Sequence, residues 1–476
     1  MALNRVGFWR IEQAARMSVI VDADDYFRNA RIAMMNARKR IMLIGWDFDA
    51  RIELVGDGRT DGEPANVGEF IHWLAERTPA LEIYLLRWDV GALKTLIRGS
   101  NIVTVAKWMM HDRIHTKLDG VHPKGASHHQ KIVVIDDCFA FCGGIDMTSE
   151  RWDTRWHHDD DPGRIKPNGK PYKPWHDAIT ALEGPIASAL GALARDRWMR
   201  AGGDRIDPVT SDGPCWPEGL EPEFRDVAVG IARTQPEMPD SPEVREIEQL
   251  FVAQIAAAKR FIYAESQYFA SRRIAEAIAR RLEEPDGPEI VIVNPLTAQG
   301  WLEPLAMDTA RARLVTALRK HDAHGRFRIY HPFTANGTAI YVHAKVMIVD
   351  STTLRIGSAN MNNRSMGLDT ECDIAIDTGA RGAQRIENIR DGLIAEHLGV
   401  AIDSVRDAIA REGLIGAIEA LRGPGRSLRP YEVDDLSAIE TWLADNEVLD
   451  PESPSEMFEA TTARGLFRRK LRQPTS

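Results

Sequence analysis

Two short stretches of this chain combine residue types that can do phosphorus chemistry. In the first, His129-Gln130-Lys131 is followed by Asp136 and then Gly143-Gly144. In the second, His343-Ala344-Lys345 is followed by Asp350 and then Gly357-Ser358-Ala359-Asn360, with the same His-x-Lys-x4-Asp-x6-Gly spacing. In extended chain, residues i and i+2 share a face, so each imidazole projects beside an ammonium. That pairing suits attack on a phosphoryl group, or proton transfer around one, because the ammonium neutralises the non-bridging oxygens. Two such pairs brought together supply both a nucleophile and a separate general acid. Two further His-x-Lys triplets, His115-Thr116-Lys117 and His122-Pro123-Lys124, serve as an internal control. Where the motif requires Asp they have His122 and His129, so the triplet alone is noise and the duplicated pattern is the signal.

The elements that must position these residues read as α/β. The chain has 476 residues, 44% hydrophobic, 27% charged and 7% aromatic, the composition of an ordinary globular protein with room for a sizeable core. Short apolar runs bounded by turn residues predict strands at 41–46, 81–88, 131–136 and 139–144, and again at 261–265, 289–294, 326–331, 340–350, 354–357 and 373–377. A helical stretch precedes the first strand of each set, at 25–40 and 244–260. Arg40 precedes Arg260 by 220 residues and His129 precedes His343 by 214, which points to two copies of one unit with a small insertion or deletion. The expected architecture is two α/β/α lobes related by a pseudo-twofold. The first lobe is 1–202, a Pro/Gly/Asp-rich linker follows at 203–241, the second lobe is 242–400, and 401–476 is a helical or irregular extension. A polar loop at 157–174 either overhangs the first motif or is a solvated insertion.

Composition also excludes classes. The formal net charge is −10, so the overall field disfavours nucleic acid and anionic surfaces, leaving only a local basic pocket. Charges at Arg5, Arg10, Glu12 and Arg16 break any apolar core of a secretory signal, and no run of about 18 apolar residues exists to span a bilayer. The expectation is a cytoplasmic or peripheral membrane protein, with signal-less secretion left open. Cys138, Cys142, Cys215 and Cys372 form no C-x-x-C pair, favouring a reduced compartment with Cys138 and Cys142 as packing residues. Among twelve Trp, Trp46 and Trp88 are placed to line the pocket mouth, and Trp108, beside Met109 and Met110, to touch lipid.

The duplicated motif resembles the defining signature of the phospholipase D superfamily. The segments GGIDMTSERWDT (143–154), PWHDAITALEGPIA (174–187), ESQYF (265–269), IYVHAKVMIVD (340–350) and GSANMNNRSM (357–366) extend the resemblance to the phosphatidylcholine-type, lipid-acting branch. The resemblance implies a bilobal fold with one active site between the repeats, a covalent phosphohistidine, and neither cofactor nor metal for the chemistry. It implies His129 as nucleophile, His343 as general acid, and Lys131, Lys345 and Asn360 as phosphate ligands. It also implies an acid orienting each imidazole. Glu371 fits that role in the second half and Asp153 of RWDT in the first, with Asp159 as the nearby alternative. Asp136 and Asp350 fall at strand ends, where fixing the following turn competes with direct catalysis. Asp146 stands where the second half has Asn360, and an acid there is poorly suited to bind phosphate.

The activity this implies is release of phosphatidic acid and a headgroup alcohol from a phospholipid, with transfer to other alcohols. The partners are a phospholipid substrate and a peripheral membrane surface, with no nucleic acid and a monomeric state. A cardiolipin synthase-like phosphatidyltransferase is the alternative with identical histidine chemistry. A nuclease fits the negative charge poorly, and a non-catalytic lipid-binding protein would not need both motifs intact.

Overall fold

The computed structural model describes residues 5–54, 62–88, 101–211, 213–299 and 303–432. The runs IVVI (Ile132–Ile135), VMIV (Val346–Val349) and FIYAE (Phe261–Glu265) are apolar on both faces, which suits strands covered by helices on both sides, and they are buried throughout. They belong to one mixed sheet whose middle is an antiparallel pair of twelve-residue strands, Arg10–Val21 and Phe224–Gln235. Outward from Arg10–Val21 come Ala178–Glu183, Phe139–Gly143, Ile132–Ile135, Arg40–Gly45, Glu82–Trp88 and Ile114–Asp119. Outward from Phe224–Gln235 come Glu371–Asp377, Thr353–Gly357, Val346–Val349, Phe261–Glu265, Glu289–Val293 and Phe327–Phe333, with Ser427–Pro430 at the edge.

The pairing senses repeat as well as the order. On each side the neighbours are antiparallel as far as Arg40–Gly45 or Phe261–Glu265, and the next two strands are parallel; the added edge strand Ser427–Pro430 of the second side is antiparallel again. Parallel neighbours need crossovers, supplied by the helices Val67–Arg77 and Asn101–Met109 in the first half and Arg272–Leu282 and Glu303–His321 in the second. One apolar cluster spans both halves, from Met17 and Val134 to Val346 and Ile374, and a further cluster fills each half. The fold is therefore a duplicated α/β unit with a continuous core.

Several expectations are corrected. The stretch 203–241, read mainly as a surface connection, contains the central strand Phe224–Gln235; Arg225, Asp226 and Arg233 flank its apolar VAVGIA and mask the pattern. Arg10–Val21 was masked in the same way by its charged first half. The two leading helices end early, at Met35 and Ala257, because the residues before the next strand are held in another conformation. The C-terminal extension supplies the helix Ile402–Leu421 and the strand Ser427–Pro430; residues 433–476 lie outside the described residues. Cys138 is no free packing residue: it is disulfide-bonded to Cys215 across 77 residues, with Cα atoms 6.1 Å apart. Sequence spacing cannot show such a pairing, which depends on the fold bringing two Cβ atoms together. Trp108 is also reassigned, because it is 2% exposed, donates from Nε1 to the Gly68 carbonyl at 3.0 Å and packs on Phe48.

Candidate active site

His129 and His343 each sit in extended chain just before an apolar strand, Ile132–Ile135 or Val346–Val349. At this point the backbone ladder crosses between halves. The His129 amide donates to the Thr370 carbonyl at 2.9 Å and the His343 amide to the His176 carbonyl at 2.7 Å. Trp175–His176 and Tyr341–Val342 form a short parallel pair, and His128 bridges to Thr370. Each motif is thus stitched to the segment that opens a strand of the opposite half, and the two imidazole centroids come within 6.5 Å.

The crossing determines which acid meets which histidine. Glu371, from the second half, contacts His129 Nδ1 at 3.0 and 3.1 Å. Asp177, from the first half, contacts His343 Nδ1 through Oδ2 at 2.6 Å. Both carboxylates leave Nε2 as the free edge of the ring. Glu371 also accepts from Ser358 Oγ at 2.5 Å and Ser365 Oγ at 2.7 Å. Asp177 lies where Gly144 has no side chain: a Cβ there would fall 2.1 Å from Asp177 Oδ1.

Asp153 does not orient His343. Its carboxylate instead accepts from Arg164, from the Trp175 amide at 2.8 Å and, through Oδ2, lies 3.1 Å from His157 Nδ1. The residue that sequence reasoning missed is Asp177, the last letter of PWHD. The signal was its place directly before the strand Ala178–Glu183, which matches Glu371 at the start of Glu371–Asp377.

Asp136 and Asp350 are likewise away from the imidazoles, at the opposite ends of their strands, about 23 Å along the extended chain. Each is the first residue of a turn with two positive φ values, 49° and 52° at Asp136 and Asp137, 50° and 58° at Asp350 and Ser351. This is the twist that a tight antiparallel hairpin requires. The Asp136 carboxylate accepts the amides of Arg38, Lys39 and Arg40; that of Asp350 accepts those of Lys259, Arg260 and Phe261. The two acids therefore staple the hairpin to the start of the neighbouring strand, which also explains why the preceding helices stop short.

The lysines face the histidines but in different company. Lys131 Nζ lies 2.7 Å from the His129 carbonyl and 3.3 Å from Asp146 Oδ2. Lys345 Nζ reaches the His343 carbonyl and, at 3.4 Å, the Gln267 side-chain oxygen, which Asn360 Nδ2 also contacts at 3.3 Å. Burial, followed by the fields of Lys131 and Lys345, holds His129 well below the usual imidazole range. Burial, then Lys345 and Arg151, does the same to His343. Burial lowers Lys345 to about 7 and raises Glu371 to about 8 and Asp177 to about 6. Trp46 stacks on Trp88 at 5.7 Å and turns its edge to His129 at 6.3 Å; Trp175 packs on His343 at 5.1 Å. The arrangement offers two neutral imidazole edges and two cations to an anion between them.

A duplicated α/β fold with paired His–Lys groups at the seam of its halves defines the structural class. The comparisons narrow it. The family described as "Phospholipase D" matches residues 33–212, and that described as "Cardiolipin synthase, PLD-like domain" matches 251–392. Phospholipase D alpha 1 of Carica papaya is 26% identical over 78% of this chain and 63% of its own length. Phospholipase D alpha 1 of Arabidopsis thaliana is 25% identical over 80% of this chain and 64% of its own. The chain thus spans just under two thirds of these relatives. In structure it resembles the phosphatidylserine synthase of Haemophilus influenzae Rd KW20 with a TM-score of 0.56, at 13% identity, over 80% of this chain and 87% of that one, which is a likeness of fold. The chain belongs to the phospholipase D superfamily.

Proposed function

We propose that the protein is a phospholipase D that cleaves the distal phosphodiester bond of glycerophospholipids. His343 takes up a proton as the anionic phosphodiester enters between the two rings; His129 Nε2 then attacks phosphorus, the bond to the headgroup oxygen breaks, and His343 Nε2 gives that proton to the departing alcohol. Water then loses a proton to His343 and attacks phosphorus, the P–N bond breaks, and phosphatidic acid leaves with His129 free again. Lys131, Lys345 and Asn360 hold the non-bridging oxygens. Glu371 and Asp177 fix the ring tautomers that keep each Nε2 on the reacting face. None of these steps requires a cofactor.

The observation that carries the reading is the approach of the two imidazoles across the seam, centroids 6.5 Å apart and ring planes inclined at 62°, each with Nδ1 held by a carboxylate of the opposite half. Exposed Met109 and Met110, at 72% and 77%, support contact with a membrane surface. Among the described residues no helix is long and apolar enough to cross one. The Cys138–Cys215 bond favours an oxidising compartment over the cytoplasm, since such bonds are rare where thiols are kept reduced.

A second reading, phosphatidyl transfer to an alcohol acceptor, draws support from the cardiolipin synthase-type match over 251–392. One assay separates the two: mixed phospholipid vesicles with and without ethanol, products identified by mass spectrometry. Phosphatidic acid in water, replaced by phosphatidylethanol as alcohol is added, is the expected result. Products only when a polyol lipid acceptor is present would favour the transferase, and nucleotide release from DNA with no lipid turnover would overturn both.

A further inference from the structure

Beside the candidate active site the chain buries a second group of ionisable side chains that the proposed reaction does not use. Asp22 ends the strand Arg10–Val21, His157 opens the loop 157–174, His176 lies in the short strand Trp175–His176, and Glu396 is near the end of the helix Gly379–Leu398. Their exposures are 2%, 1%, 0% and 6%. His157 Nε2 is 3.1 Å from Glu396 Oε1 and 3.4 Å from Asp22 Oδ2; His176 Nδ1 is 2.9 Å from Glu396 Oε1 and 3.2 Å from Asp22 Oδ1.

Hydrogen bonds alone leave this group unsatisfied. His176 Nδ1 lies between two carboxylate oxygens yet bonds to neither, and Asp22 Oδ2 also has no hydrogen-bond partner, although both atoms are fully buried. Buried polar atoms in that state call for an explanation, an ion being one. The spacing supplies it. Nitrogen and oxygen ligands about 2.0–2.2 Å from a tetrahedral zinc ion lie about 3.3–3.6 Å from one another; the donor contacts here, 2.9–3.4 Å with Asp22 presenting Oδ2 to His157 and Oδ1 to His176, need to open only by a few tenths of an ångström to admit the ion. Four protein ligands with no open position are the mark of a structural rather than a catalytic zinc site.

The outer contacts agree. The far nitrogen of each imidazole is on a carboxylate, His157 Nδ1 on Asp153 Oδ2 at 3.1 Å and His176 Nε2 on Glu265 Oε2 at 2.8 Å. Those carboxylates are held in turn, Asp153 by Arg164 and Glu265 by Tyr263 Oη at 2.6 Å and His397 Nε2 at 3.0 Å. Carboxylate–histidine pairs of this kind orient metal-ligating imidazoles. This also gives Asp153 a place: it sets the His157 ring.

We propose that Asp22, His157, His176 and Glu396 bind one structural divalent transition-metal ion of the zinc class, cross-linking the two halves. The ion ties the first half to the helix Gly379–Leu398 and fixes His176, whose backbone neighbour Asp177 holds His343 Nδ1. Because the ligands are buried, brief chelation leaves it in place.

The test is elemental analysis of the full-length protein, expressed with added Zn²⁺ and passed briefly through EDTA. One equivalent of metal per chain is expected in the wild type, falling at least about fivefold in Asp22→Asn and in His157→Gln. The partly exposed group His72, Glu76 and His111 is a competing site nearer the surface, so His72→Ala should leave the content unchanged. If the Asp22 and His157 variants do not fold, wild-type protein unfolded with chelator and refolded with Co²⁺ decides the matter. One equivalent showing the visible absorption of tetrahedral nitrogen/oxygen ligation supports the site. A folded wild type carrying under about a tenth of an equivalent, with no Co²⁺ uptake on refolding, overturns it and leaves a protonated ion network. Metal lost in His72→Ala but kept in Asp22→Asn would also overturn it.

Discussion

The two halves carry the same motif at the same spacing and make different electrostatic environments. Fifteen residues after His129 stands Gly144, which leaves room for Asp177; fifteen after His343 stands Ser358, whose hydroxyl donates to Glu371. Seventeen after come Asp146 and Asn360, so Lys131 has a carboxylate at 3.3 Å while Lys345 has only amide and carbonyl oxygens among its hydrogen-bond partners. His129 keeps 15% of its side chain exposed and His343 7%. Duplication supplies the pairs, and divergence at these two offsets leaves His129 the more accessible imidazole and His343 the more enclosed one, which suits their proposed roles of nucleophile and acid. Lys345, which among the described residues has no carboxylate at ion-pair distance, is the one whose charge a bound phosphodiester would complete.

The largest expected effect separates the two histidines. His129→Asn and His343→Asn should each lower turnover on natural lipid by about 10³-fold or more, since neither replaces the other's step. With a substrate whose leaving group needs no proton, His343→Asn should still form a covalent adduct and His129→Asn none, read by intact-protein mass spectrometry. An adduct on His343 in the wild type would reverse the roles.

Next come the crossed acids. Asp177→Asn and Glu371→Gln should each cost about 10²-fold in kcat by losing the ring tautomer. They should part company in stability. Glu371 is raised to about 8, so its contribution is fully present below 4.5 and lost as pH rises through 8. Glu371→Gln should therefore be more stable than wild type above pH 8, by about 1 kcal/mol or more given about 1.4 kcal/mol per unit of displacement. Denaturant melts at pH 4.5 and 9 would show whether the gain is absent at the acid end and grows as pH rises.

A smaller effect tests the lysines. Lys345 titrates near 7 in the free protein, so kcat/KM should fall as pH rises through that range, because the uncharged amine binds phosphate poorly. Asn360→Asp gives Lys345 an acid like that of Lys131; it should move the fall to higher pH while raising KM about tenfold through repulsion of the substrate. An unchanged pH profile would show that Lys345 does not govern it.

Smallest for catalysis, and structural in kind, is Asp136→Asn. Losing charge-assisted bonds to three amides should cost about 2–4 kcal/mol in chemical denaturation, yet leave the activity of the folded fraction within about threefold. A catalytic loss comparable to that of Glu371→Gln would return Asp136 to the site.

The sequence by itself determined the two His-x-Lys pairs, the α/β class and the repeat, because these rest on local spacing and on apolar runs that no neighbour needs to complete; Glu371 entered only through the family resemblance. Asn360 was named as a phosphate ligand through the resemblance, and Gln267 was legible only as a letter in ESQYF; their shared contact near Lys345 was not legible. Tertiary structure alone decided that each imidazole takes its acid from the opposite half, which is why Asp177 was passed over for Asp153. It alone showed that the apparent linker holds a central strand, because the pairing of Phe224–Gln235 with Arg10–Val21 is a contact between distant segments with charged ends. The Cys138–Cys215 bond and the cluster of Asp22, His157, His176 and Glu396 share that origin. Pattern reading sees periods along one segment, whereas these sites are assembled from segments far apart in the chain, and only folding sets the distances on which their chemistry depends.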